Sequence, residues 1–325
     1  MRANEISRLG ASLAAGVMLC AVAASSGRAA DKLTIGETGT GSAINWPIYI
    51  AVKTGIYDKL GLQIEFISAP SSAAVMQQLT ARGMDIGISS PFDSLRAIDK
   101  GAPLSMFRVE IQAPLYEVFG KATLKDLADL KGKIVMLGGA KDITRYYVER
   151  MLAPHGVKSG DFDMLFAGAT AQRFAALMSG SIDATILATP YNFRAKAAGF
   201  KSLGAPVASD NDIPFAVFSV NSKWGRDNHA ILSRFLEGFA KGVDFFYDQA
   251  HRSESIEIFR EISKSSPEDA ALTYDFARSL PTFDRVGAFE RGGIGMVLKE
   301  LQKNGELDGS ADITRFVDAS LAVIR

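Results

Sequence analysis

Cysteine is almost absent, one in 325 residues, and histidine is nearly so, with three. The single thiol, Cys20, falls in an apolar leader, so beyond it there is no disulfide staple, no thiolate metal site and no cysteine nucleophile. His155, His229 and His251 stand near predicted helix ends without metal-ligand spacing and read as surface residues. Net charge is missing as well. The 36 basic residues cancel the 36 acidic ones, leaving no long-range field to hold nucleic acid or anionic lipid. G-x-S-x-G, Walker and H-E-x-x-H patterns do not occur, and the carboxylate pairs Asp161/Asp163 and Asp210/Asp212 read as solvated turn residues rather than an acid–base couple. What remains is an ordinary globular composition, 47% hydrophobic and 22% charged, long enough to bury a core without covalent help.

Residues 1–29 read as a secretory signal peptide. Arg2 and Arg8 supply positive charge, 9–24 is an alanine-rich apolar run, and Gly27 and Ala29 put small residues where a signal peptidase cuts. The run is 16 residues long, whereas a membrane span needs about 20. Leu19, before Cys20, is not the small residue that lipidation requires. The expected destination is the periplasm.

From residue 32 to 204 short β-rich runs alternate with helical ones. Strands are predicted at 32–36, 63–68, 86–89, 133–137, 163–166 and 184–187. Between them, Val75, Met76 and Leu79, then Ile143, Tyr147, Val148, Met151 and Leu152, then Phe174, Leu177 and Met178 form stripes at helical spacing. Parallel neighbours need crossovers and helices make them, so the fold class is α/β with a mainly parallel sheet. After a strand at 215–220 the chain turns helical, with Ile231, Phe235, Phe239, Val243 and Phe246 on one face and Pro267 and Pro281 as punctuation. Segments 105–120 and 214–220 are extended stretches able to join two lobes. A two-copy repeat supports the lobes: 79–85 leads into 86–91 as 177–183 leads into 184–190, each reading helix end, glycine, aspartate, buried strand, hydroxyl residues and proline.

In such sheets ligands bind beyond the carboxyl ends of the strands. Four loops qualify. The first, 37–47, carries Thr40, Asn45 and Trp46 among glycines, with the indole either a stacking face for a ligand or packed between elements. Its G-x-G lacks the third glycine of a dinucleotide fingerprint. The second and third, Ser89-Ser90-Pro91 and Thr189-Pro190-Tyr191, suit ligand contact or simple helix capping. The fourth, 138–145, crowds Lys141, Asp142, Thr144 and Arg145 at a helix start, where the cations serve an anion or pair with Asp142 and Glu149.

The run from Pro47 to Tyr57 followed by Gly61-Leu62-Gln63-Ile64-Glu65, then 79–88, Asp129-Leu130-Lys131-Gly132-Lys133, 177–184, Pro190 and Gly305-Glu306-Leu307, resembles periplasmic solute-binding proteins of ABC importers. The branch is that of nitrate, sulfonate, taurine and thiamine-pyrimidine-precursor binders. The resemblance implies a type II periplasmic binding protein fold, α/β with mixed sheets flanked by helices and a cleft between two lobes. Lobe one would hold 30–112 and 218–325, and lobe two 113–217. Ligand contacts carried over by position are Thr40, Asn45, Trp46, Ser89, Ser90, Gln112, Asp142, Thr144, Arg145, Thr189 and Tyr191. The implied partners are a small organic ligand, sulfonate- or aromatic-carboxylate-like, and the transmembrane subunits of an ABC permease, with the protein itself a monomer. No metal, cofactor or covalent chemistry is implied. The pyrimidine synthases of the branch use a histidine and a cysteine-rich iron motif, which this chain, with no cysteine beyond Cys20 of the leader, lacks. A binder of a neutral pyrimidine-like heterocycle or a chemosensory ligand-binding protein would carry the same pattern, and a secreted hydrolase would need a nucleophile and base not seen in it.

Overall fold

The computed structural model describes residues 29–206, 213–308 and 310–325. The signal-peptide reading apart from Ala29, Cys20 and the Asp210/Asp212 pair lie outside the described residues. Two five-stranded sheets form the frame. The first takes β1 (Asp31–Thr38), β2 (Leu62–Ala69), β3 (Ile86–Ser89), β4 (Leu104–Ile111) and β10 (Ala216–Asn221) in the order β2-β1-β3-β10-β4. The second takes β5 (Tyr116–Gly120), β6 (Ile134–Leu137), β7 (Asp163–Phe166), β8 (Ala184–Ala188) and β9 (Lys201–Gly204) in the order β7-β6-β8-β5-β9. Both sheets are mixed rather than mainly parallel. β1 runs parallel to β2 and β3, and β6 to β7 and β8, whereas β10 and β5 are antiparallel to their neighbours. Each parallel triad has helical crossovers, and each antiparallel strand enters after the chain has passed from one sheet to the other, as at 112–115.

The two aspartates of the repeat do the same work. Asp85 accepts the Thr34 N–H at 2.7 Å, and Asp183 accepts the Ile134 N–H at 2.9 Å. Each carboxylate ties the turn before one strand, β3 or β8, to the adjacent parallel strand, at the middle of β1 or the start of β6.

The helices are α1 (Trp46–Lys53), α2 (Ile56–Lys59), α3 (Ser72–Thr80), α4 (Pro91–Asp99), α5 (Ile143–Leu152), α6 (Thr170–Met178), α7 (Tyr191–Ala197), α8 (Ser222–Asp227), α9 (His229–Tyr247), α10 (Arg252–Ser263), α11 (Pro267–Arg278) and α12 (Arg291–Lys303). The stripes of α3 and α5 are buried as their spacing requires, but Met178 at the end of α6 is 49% exposed because only Leu177 of that turn faces sheet two. On α9, Phe235, Phe239, Val243 and Phe246 enter the first core cluster. Gly238 and Gly242 on the same helix let it close onto α1 and α2. A Cβ at Gly242 would stand 2.1 Å from the Pro47 carbonyl oxygen, and one at Gly238 would stand 2.2 Å from the Tyr57 ring. Among the described residues no helix is long and apolar enough to cross a membrane.

Candidate functional site

The loops at the carboxyl ends of β1, β2, β3, β6, β7 and β8 converge on one cavity of about 790 Å³. This is where an open α/β sheet places its ligands, because helix N-termini there offer unbonded N–H groups.

Sheet one contributes a wall of hydroxyls, among them Thr38, Thr40, Ser68, Ser72, Ser89 and Ser90. Several are already engaged. Ser71 Oγ accepts the Ala74 N–H at 3.2 Å and caps α3, and Ser90 Oγ accepts the Asp93 N–H at 3.2 Å and caps α4. Ser72 Oγ accepts the Ser90 N–H at 2.9 Å, and Ser89 pairs with Ser94 at 2.6 Å. Capping and cavity lining coexist here, since both serines of the repeat turn still border the cavity.

Beneath the 38–44 loop lies a buried acidic cluster. Glu37 accepts hydrogen bonds from Asn45 Nδ2 and, at 2.7 Å, from Tyr49 Oη. Burial lifts its carboxyl to about 7, against the lowering effect of those donors. Glu110 is fully buried, and among the described residues neither carboxyl oxygen has a hydrogen-bond partner. Burial, with the Glu37 charge adding to it, holds Glu110 well above the usual carboxylate range.

Sheet two contributes a different wall. α6 starts without a side-chain cap, because its N-cap residue is Ala169. The first N–H groups of the helix therefore open onto the cavity, which Gly168, Ala169, Thr170 and Ala171 all line. Directly behind them Arg173 is fully buried. Its guanidinium donates to the carbonyls of Ile186 at 3.0 Å, Ala167 at 2.9 Å and Gly168 at 2.7 Å, and to Thr170 Oγ1 at 3.0 Å. Among the described residues every one of its hydrogen-bond acceptors is neutral, so its charge adds to the positive end of α6. Across this wall Thr189 is 8% exposed and its Oγ1 has no partner among the described residues. Tyr116, Tyr191 and Phe215 add aromatic surface, with Tyr116 and Phe215 meeting edge-on at 5.2 Å.

A third component comes from the turn between α10 and α11, where Ser263, Lys264 and Ser265 reach the cavity. Lys264 is in the left-handed region at φ 56 and has no ion-pair partner among the described residues.

The structure brings Thr40, Ser89, Ser90, Asp142, Thr189 and Tyr191 to the cavity. It does not bring the other expected contacts there. Trp46 is fully buried, its ring stacked on Phe259 at 4.1 Å and its Nε1 donating to the Ser255 carbonyl at 3.0 Å, so both faces of its chemistry are used by the core. Asn45 is buried against Glu37 and Tyr49. Gln112 lies in the crossing segment, its N–H bonded to the Thr282 carbonyl at 2.9 Å. Thr144 closes the α5 cap, accepting the Gly138 N–H at 2.8 Å and donating to Asp142 at 2.5 Å. Arg145 faces a separate crevice of about 210 Å³ and is paired with Glu149 at 2.6 Å, while Lys141 reaches Glu306 at 3.5 Å. The expected pairing with Glu149 thus accounts for Arg145, whereas Lys141 pairs with Glu306, a partner not among the two expected. Thr170, Arg194 and Lys264 line the cavity in addition, with Arg173 buried behind the start of α6. The Gly-Ala-Thr that follows β7 has the same strand–small–hydroxyl pattern as the loops selected and could have marked the first; an arginine or lysine in an amphipathic run carries no such mark.

The NMT1/THI5 like family model matches residues 45–252. The chain belongs to that family. Among solved structures it is similar to the periplasmic aliphatic sulphonate binding protein SsuA from Escherichia coli, with a TM-score of 0.73 and 18% identity over 90% of this chain and 98% of that one. It is also similar to the periplasmic nitrate-binding protein NrtA from Synechocystis PCC 6803, with a TM-score of 0.73 and 17% identity over 90% of this chain and 86% of that one. The fold is accordingly the periplasmic binding protein fold. A curated relative, the 4-amino-5-hydroxymethyl-2-methylpyrimidine phosphate synthase of Schizosaccharomyces pombe, is 22% identical over 161 residues, 48% of this chain and 44% of that protein. The chain spans less than half the length of the curated relatives it matches.

Proposed function

We propose that the protein is the periplasmic solute-binding component of an ABC importer, and that it captures a small organic anion and hands it unaltered to a membrane permease. The two lobes would be 30–112 with 218–325 and 113–217, each carrying one sheet except that the boundary falls inside β10, and closing on the ligand at the 790 Å³ cavity. The observation that carries the anion is the uncapped start of α6 over the buried Arg173, with the Thr189 hydroxyl, which has no partner among the described residues, opposite. Unbonded N–H groups, a helix dipole and a guanidinium without a carboxylate partner among the described residues form a receptor for a sulfonate or carboxylate head. The cavity far exceeds the head group, and Tyr116, Tyr191 and Phe215 suit an apolar or aromatic remainder.

The similarity to sulfonate- and nitrate-binding proteins supports the binding role. A neutral pyrimidine-like ligand is the second reading, favoured by relatives named as pyrimidine phosphate synthases. Thermal shift with sulfonates, nitrate, aromatic carboxylates and pyrimidines separates the two. A true ligand at a hundred times its dissociation constant stabilises by about 2.7 kcal/mol. Sulfonates or carboxylates that raise the melting midpoint and are recovered unchanged support capture. A response to pyrimidines alone moves the ligand to the second reading, and recovery of a transformed compound overturns binding without chemistry.

A further inference from the structure

Arg194 belongs both to the cavity wall and to an ion pair with Asp269. It lies on α7, which follows β8 of sheet two, and its guanidinium stands 5.2 Å from the centre of the Tyr191 ring. Asp269 takes two of its nitrogens through one oxygen, Nε at 2.8 Å and Nη2 at 2.6 Å. Asp269 is on α11, which packs on α10 and through it on α1 beside sheet one. The pair therefore joins helices that belong to different sheets.

Asp269 is well placed to hold a cation. Its side chain is only 14% exposed, and it lies in the first turn of α11, where Ser266 caps its N–H at 3.1 Å and the helix dipole favours negative charge. Next to the ion pair, Phe193 of α7 and Phe276 of α11 meet edge-on at 5.9 Å. A planar guanidinium held along one edge keeps its other edge in a fixed direction. Here that edge is Nη1, which has no partner among the described residues, on a side chain that lines the cavity.

We infer that Arg194 is a specificity-determining residue that donates from Nη1 to the anionic group of the ligand, and that Asp269 is its positioning residue. The arginine is aimed only while α7 and α11 are together, so ligand charge is recognised in the closed form. This rests on the anion-capture reading and adds to it the group that reports closure.

Calorimetric titration with benzenesulfonate and its neutral analogue benzenesulfonamide tests the assignment, alongside the radius of gyration of the ligand-free protein in solution. Arg194→Gln is expected to weaken benzenesulfonate at least tenfold while leaving benzenesulfonamide within about twofold. Arg194→Lys should recover part of the preference, since it keeps charge without the fork. Asp269→Asn should weaken benzenesulfonate severalfold and enlarge the ligand-free radius of gyration. Wild-type protein that binds neither probe, nor nitrate or benzoate, would overturn anion capture itself. Wild-type protein that prefers the sulfonate, with variants that keep the preference, would overturn this assignment alone. A gain of affinity in Asp269→Asn would also overturn it, because Asp269 would then be a competitor of the ligand.

Discussion

Glu37 ends its side chain under the very loop that lines the cavity, and its environment makes it titrate near neutrality. Its carboxyl in the folded protein is raised to about 7 from an ordinary 4.5. Between those values the folded state binds the proton that the unfolded chain has lost, so the contribution of Glu37 to stability is greatest below about pH 4.5 and is lost as pH rises through 7. At about 1.36 kcal/mol per pH unit the whole shift is worth about 3 kcal/mol, and Glu110 contributes with the same sign. The melting midpoint of Glu37→Gln should therefore fall less between pH 5 and 8 than that of the wild type; parallel curves would show that the carboxyl is not buried as described. Trp46 makes the complementary point. An indole in a glycine-rich loop is chemically suited to stack on a ligand, and nothing local in the sequence reveals that Phe259, more than two hundred residues away, already covers it. Trp46→Ala should cost about 3–5 kcal/mol in stability, by cavity formation, with ligand affinity in the surviving folded fraction nearly unchanged.

The start of α6 is an element that gives up local stability to keep its N–H groups available. Replacing Ala169 by Asp would install the missing cap at a residue whose backbone, at φ −79 and ψ 133, already has cap geometry. The expected gain is about 1 kcal/mol in stability, together with loss of anion binding, because the new carboxylate would occupy and repel at the same place. A variant that is more stable and still binds sulfonates would place the head group elsewhere. α9 supplies the opposite case, where a tight approach leaves no tolerance. Gly242→Ala would drive a methyl into the Pro47 carbonyl and should cost about 1–3 kcal/mol, measured by chemical denaturation. Elements with a clear period were legible from sequence: the expected strands at 63–68, 86–89, 163–166 and 184–187 fall within β2, β3, β7 and β8. β9 was not, since Lys201-Ser202-Leu203-Gly204 has no β-branched residue and is a strand only because β5 pairs with it. Of the site, hydroxyls at strand ends were legible because they sit where the sheet exposes helix starts, whereas Lys264 reaches the cavity through tertiary packing alone.

On the scale of the whole molecule, a second charged contact joins the two sheets, beside the 210 Å³ crevice. There Arg96 of α4 binds Asp93 at 2.7 Å, Glu306 beyond α12, and the Lys141 carbonyl of the β6–α5 loop. One side chain thus ties sheet one, sheet two and the carboxyl-terminal segment together. It is 17% exposed and its two carboxylate partners are 11% and 13% exposed, so neither can regain full hydration if it is removed. Arg96→Ala should then cost about 3–5 kcal/mol, the range for breaking a buried pair and stranding charge, whereas Lys141→Ala, at 65% exposure, should cost under about 1 kcal/mol. The penalty must also depend on pH. Burial already raises Asp93 despite the cation beside it, and without Arg96 it would rise further. Protonation would relieve the stranded charge, so the Arg96→Ala deficit should shrink as pH falls from 8 toward 4.5. A deficit that stays constant over that interval would mean that Arg96 acts through its aliphatic packing, including its place over the Phe92 ring at 5.8 Å, and that the two sheets are held in register by apolar contact rather than by charge.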